Sequence, residues 1–146
     1  MNRLSALARW IFGLFYAFIG ATWFAYRFMG KSAFGPNPDE TAAAKALAAA
    51  FAESGFIDPV IVLTCLLGGL LLLVRRTAPL AICVLAPLVT IIFLFHVCLN
   101  DRWFYWIWGS LQLAWLLMLS WLHRASFRPL WQHGADRTGP ATRRRP

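Results

Sequence analysis

The sequence predicts an all-α fold, a four-transmembrane-helix bundle, and three observations lead there. The first is composition. Of 146 residues, 60% are hydrophobic and 14% are charged, with a mean hydropathy of +0.59; soluble domains lie near ~45–50% and ~25%. The second is clustering. Trp10–Tyr26, Pro59–Val74, Thr77–Asn100 and Trp103–Leu122 contain no Asp, Glu, Lys or Arg and have 17, 16, 24 and 20 residues. A helix needs roughly 20 mostly apolar residues to cross ~30 Å of hydrocarbon. The shorter runs lengthen at their ends if Arg9, Arg27 and Arg75 carry their charged heads to the interface. The spans then fall at about 8–28, 57–75, 77–100 and 103–123. The third is the placement of basic residues. Arg3, Arg9, Arg75, Arg76, Arg124, Arg128, Arg137 and Arg143–Arg145 fall on one side, against Arg27, Lys31, Lys45 and Arg102 on the other. The positive-inside rule makes the first side cytoplasmic, so both the N and C termini are expected inside. The net charge of +8 therefore sets topology. No aromatic-interleaved basic patch or recognition motif points to nucleic acid.

The first run follows basic residues, as a signal peptide would. It is longer than an h-region of about 7–15 residues and ends in bulky Trp23, Phe24 and Tyr26 rather than a small-residue cleavage site. It reads as a retained helix. Gly13, Ala17 and Ala21 make a small-residue ridge along it, which favours close helix approach. Tyr16, Gly20, Trp23 and Arg27 form a second stripe, a candidate interior face.

An external loop follows. Gly35-Pro36-Asn37-Pro38 breaks structure. An alanine-rich helix is expected at about 41–54, capped by Asp39 or Thr41 and stopped by Gly55. It is too polar to span and is expected to be amphipathic on the outer surface. Asp58-Pro59 then reads as the start of the second span, Asp58 as its cap. Gly68-Gly69 marks a close approach, and Arg75-Arg76 followed by Thr77-Ala78-Pro79 makes a tight turn into the third span. There, Pro87 removes a backbone donor. His96 is the one ionisable side chain in a long uncharged run. At 100° per residue Asn100 and Phe93 share its face, while Cys98 points away. The three cysteines, Cys65, Cys83 and Cys98, have no metal-site spacing and read as small apolar side chains.

The fourth span opens on Trp103-Phe104-Tyr105-Trp106, an interfacial aromatic belt. Tyr105, Trp108, Gln112 and Trp115 have spacings of 3, 4 and 3 and share one face. Gln112 lies deep in the span, and a polar group in hydrocarbon needs a partner, so this face is expected to turn inward. Residues 1–131 make one membrane domain in this reading. Residues 132–146 are polar, Gly/Pro-interrupted and basic, and are expected to form a disordered cytoplasmic tail.

The order of these segments resembles the DoxX-like family of small bacterial integral membrane proteins. The resemblance rests on GLFYAFIGATWF (Gly13–Phe24), AAFAESGFIDPVI (Ala49–Ile61), LLGGLLLL (Leu66–Leu73), PLAICVLAPLVTIIFLFH (Pro79–His96) and FRPLW (Phe127–Trp131). It covers roughly residues 10–131. It implies a four-helix bundle in the bacterial inner membrane and a link to membrane redox chemistry, since founding members include a quinone-reducing thiosulfate oxidoreductase. Trp23 stands where relatives often carry Lys, and Thr64-Cys65 where they often carry an acidic residue; His96 matches.

Two functions follow from these residues. In the first, His96, Asn100, Tyr105, Trp108, Gln112, Tyr16 and Trp23 line an intramembrane pocket near the outer face. It binds a small flat hydrophobic ligand such as a quinone, His96 donating to its carbonyl, in an accessory subunit of a quinone-linked oxidoreductase. In the second, His96 makes a structural hydrogen bond to Gln112 or to a carbonyl of a neighbouring helix. The chain is then an assembly partner for another membrane or redox subunit, or for a second copy, with no ligand of its own. A stand-alone enzyme ranks low, for the sequence has no Gly-rich nucleotide loop, no His/Glu metal motif and no Ser/His/Asp order. A haem between His96 and His123 would need ligands about 30 Å apart. A transporter is disfavoured because no internal repeat appears.

Overall fold

The structure, a computed structural model, describes residues 3–29 and 40–127. It consists of α1 (Arg3–Phe28), α2 (Ala42–Ser54), α3 (Ile57–Leu73), α4 (Ala78–Leu99) and α5 (Trp103–Leu122), with no strand among the described residues. The expected break at Gly35–Pro38 and the expected tail at 132–146 lie outside the described residues.

Two helical stretches are long and apolar enough to cross a membrane, Ser5–Tyr26 and Ala78–Leu99. A third span is reached if α2 and α3, bent by 92° at their junction, count as one. These mark a membrane protein.

Each helix ends for a local reason. α1 starts at Arg3 rather than near residue 8, and its first turns are built in: Ser5 and Arg9 are both buried. The Thr41 hydroxyl accepts the Ala44 N–H at 3.2 Å to start α2. Gly55 stops it in the left-handed conformation, φ 73°, donating to Ala52 O, a conformation that costs glycine little. The cap of α3 differs from the sequence expectation. Phe56 is the cap residue and makes no side-chain bond, and the Ile57 N–H is met by Ser54 Oγ at 3.2 Å. Asp58 lies in the first turn instead, where its charge complements the positive end of the helix dipole. α4 runs on through Pro87, whose ring lies on the exposed side of the helix.

The four long helices pack in a ring, α1 on α3, α3 on α4, α4 on α5, and α5 back on α1. Neighbours run antiparallel. Gly13 meets Leu72 and Leu73 while Gly20, further along α1, meets Leu66. Phe12, Tyr16, Leu72, Leu85, Val89, Leu116 and Leu119 fill the core. α2 lies across one end of the ring, with Ala44 its buried residue.

The last carbonyls of a helix have no partner within it. Two helices meet this need with borrowed side chains. At the end of α3, Thr77 Oγ1 donates to Leu71 O at 2.6 Å and Arg9 Nη1 to Leu72 O at 3.2 Å. Arg9 therefore does not carry its head outward; at 5% exposure it caps α3 from inside the bundle. At the end of α4, Thr41 Oγ1 donates to Leu99 O, Trp106 Nε1 to Asn100 O at 2.6 Å, and Asn100 Nδ2 to Phe95 O at 3.4 Å.

Candidate functional site at the seam of α4 and α5

His96 sits on α4 one turn before its end, against α5. What makes room for it is Gly109. A Cβ added there would stand 2.9 Å from His96 Cβ and 3.4 Å from Phe93 Cα. The Tyr105 ring, one turn earlier on α5, lies 5.5 Å from the His96 ring at 52°. His96 is half-buried. Its Nδ1 stands 2.7 Å from Ile92 O, within its own helix. A backbone carbonyl only accepts, so Nδ1 carries the proton. In the neutral ring Nε2 then carries a lone pair. The expected donation from neutral His96 to a carbonyl is not available in this tautomer.

Gln112 finds a partner other than His96, the one expected. The Tyr16 hydroxyl donates to Gln112 Oε1 at 2.6 Å across the α1–α5 seam, and both side chains are buried. The seven candidates thus fall into groups. His96 and Tyr105 make one, Tyr16 and Gln112 another. Rings connect them in steps: Tyr105 to Phe104 at 6.0 Å, Phe104 stacked on Trp108 at 6.5 Å, Trp108 to Phe15 at 5.8 Å, and Phe15 to Tyr16 at 5.2 Å. The seam continues through Phe12, 4.9 Å from Tyr16 and stacked on Trp115 at 6.1 Å. Trp115 Nε1 in turn donates to Ala8 O at 3.2 Å.

Two candidates stand apart. Asn100 is buried but does not pair with His96; its amide donates to Phe95 O and its backbone carbonyl receives Trp106. It closes α4. Its Oδ1 is buried without a hydrogen-bond partner. Trp23 meets Phe24 of its own helix at 5.4 Å, and none of the described ring contacts joins it to the other candidates.

Sequence reasoning missed Phe15, Phe104 and Gly109. Gly109 carried a signal. It lies four residues after Tyr105 and three before Gln112, on the face expected to turn inward, where a missing side chain leaves space for a large one opposite. Among the described residues no three His, Cys, Asp or Glu side chains gather to hold a metal ion. The thiols of Cys65, Cys83 and Cys98 are free. Comparison of the chain with protein-family models, with curated proteins and with solved structures gives no match.

Proposed function

We propose that this chain is a DoxX-like protein of a bacterial inner membrane, with α1, α3, α4 and α5 all spanning the bilayer. It acts as an accessory subunit that binds a small flat hydrophobic ligand, such as a quinone or quinol, at the α4–α5 seam near the outer face. At 1.5 Å per residue the 17 residues of α3 and the 20 of α5 reach about 25 and 30 Å, the scale of a hydrocarbon core. The near-right angle between α2 and α3 supports α2 lying on the membrane surface when α3 crosses it. Among the described residues Arg3, Arg9, Arg75, Arg76 and Arg124 fall at one end of the bundle, against Arg27, Lys45 and Arg102 at the other. This supports cytoplasmic termini and an external α2.

The observation that carries the ligand reading is the setting of His96. It is an ionisable side chain in the last turn of a 22-residue apolar helix, half-buried, with its ring held by Ile92 O, Gly109 and Tyr105. Intramembrane ionisable residues default to functional sites, and the neighbouring rings of Tyr105, Phe104 and Trp108 offer flat faces to a flat ligand. The test is mass spectrometry of small molecules co-purified from native membranes. Wild-type protein is expected to retain an aromatic lipid-soluble compound that His96→Ala loses; equal retention in both refutes the reading.

A second reading is an assembly partner with no ligand, for another membrane or redox subunit or for a second copy. One observation favours it: His96 Nδ1, the Tyr16 hydroxyl and Gln112 Oε1 find their hydrogen-bond partners inside the chain. Loss of a co-purifying protein, but of no small molecule, in variants of the exposed Trp108 and Ile107 face would select this reading.

A further inference from the structure

The ring orientation of His96 restricts what the proposed site can hold. This step rests on the ligand reading above and sharpens it. We propose that His96 receives the hydroxyl of a phenol or hydroquinone, and does not hold the carbonyl of a quinone.

The constraint begins at Ile92. With Nδ1 at 2.7 Å from Ile92 O, the ring proton lies between them. Removing it would leave two lone pairs facing each other; rotating the ring would place a carbon against the carbonyl. Either change gives up the side-chain hydrogen bond and leaves Ile92 O with only its helical partner, the His96 N–H. The underside of the residue is fixed too. Its Cβ rests over Gly109 with no room for a side chain between them, and Tyr105 flanks the ring. Backbone on one side and a neighbouring helix on the other therefore preset the direction of Nε2, at the ring edge away from Nδ1.

A lone pair held in this way discriminates by polarity. With the ring neutral, a carbonyl oxygen brought to Nε2 meets another acceptor, and neither group supplies a proton. A hydroxyl oxygen brought to the same place donates. Desolvating a mismatched acceptor pair is the kind of penalty that separates ligands differing by a single hydrogen. The site is thus built for the reduced, hydroxyl-bearing member of an aromatic pair. The proposal concerns binding alone and calls for no electron acceptor.

The test uses the full chain in lipid nanodiscs without oxygen. Three probes share one short-tailed ring: a 1,4-hydroquinone, its quinone and its dimethyl ether. Binding is read by quenching of tryptophan fluorescence and by calorimetry. The hydroquinone is expected to bind about ten-fold more tightly than the other two, the size of one neutral hydrogen bond. In His96→Phe that preference disappears. In His96→Gln, whose amide both donates and accepts, hydroquinone and quinone bind alike; this variant also guards against misfolding in the first. Quinone binding as tight as hydroquinone binding in the wild type, with both weakened in His96→Phe, overturns this proposal and leaves the ligand reading standing. No binding by any probe, or three affinities untouched by either substitution, overturns both.

Discussion

The helix α1 has two seams, and they are built on opposite principles. Against α3 it is smooth. Gly13, Ala17 and Gly20 lie on Gly69, Leu66, Leu72 and Leu73 so closely that a Cβ at Gly69 would stand 2.4 Å from Ala17 N and 2.7 Å from Gly13 O. Against α5 it is rough. Phe12, Phe15 and Tyr16 interlock with Trp108, Gln112 and Trp115, and two hydrogen bonds cross the gap. Backbone-to-backbone contact tolerates no added atom. An aromatic seam has soft spots, because each ring touches the next at 5–6.5 Å centroid separations and a ring can tilt. In a bilayer, where lipid tails are as apolar as leucine, close packing and buried hydrogen bonds are the two routes to helix association. This chain uses one on each side of a single helix, and the candidate site adjoins the softer one.

Substitutions can separate the two principles, and the largest effect is expected at Gly69. Gly69→Val would drive its side chain into the α1 backbone, costing about 3 kcal/mol or more, read as loss of folded protein in a detergent unfolding titration. The second is Tyr16→Phe, which leaves Gln112 Oε1 buried and unmet; about 1–3 kcal/mol is expected. Tyr16→Phe with Gln112→Leu should recover most of that loss, and a double-mutant cycle should give a coupling of roughly 0.6–1.7 kcal/mol. Coupling near zero would mean the seam is held by its rings alone. Gly68→Ala tests the first principle from next door. There a Cβ meets Leu85 Cδ2 at 2.6 Å, the end of a flexible side chain, so about 1 kcal/mol is expected by the same titration. Smallest is His96→Phe, whose lost hydrogen bond is internal to α4; less than about 1 kcal/mol is expected. A larger loss would favour a structural role for this histidine.

The helices were legible in the sequence because long uncharged runs admit little else. The seams were legible only in part. The ridge Gly13, Ala17, Ala21 has spacings of four, and a strict four drifts by about 40° per step on a helix of 3.6 residues per turn. The contact follows the true period, so Gly20 takes the place against Leu66 and Ala21 is exposed. The Gly68-Gly69 pair was read as one close approach. It serves two neighbours, Gly69 against α1 and Gly68 against Leu85 of α4. No local pattern names the helix a glycine will meet.

The candidate residues show the same limit. Gln112 had to have a partner, but choosing Tyr16 over His96 depends on how helices 96 residues apart in sequence are rotated against each other. From its position His96 is expected to reach beyond its own helix for a hydrogen bond, and it finds one at Ile92, four residues back. Asn100 shares the face of His96 by angle, yet α4 ends there, and a residue at a helix end is claimed by unmet carbonyls before it can serve a ligand.

The closing of α4 also bears on the order in which the chain is assembled. Thr41, which starts α2, donates to Leu99 O, 58 residues further along. At the usual synthesis rates of about 5–20 residues per second, roughly 3–12 s separate the emergence of the two groups. For that interval α2 has been made and the carbonyl that fixes its position has not. Until α4 arrives, α2 has only its packing on α3 to position it. The same contact that finishes one helix thus schedules the docking of another.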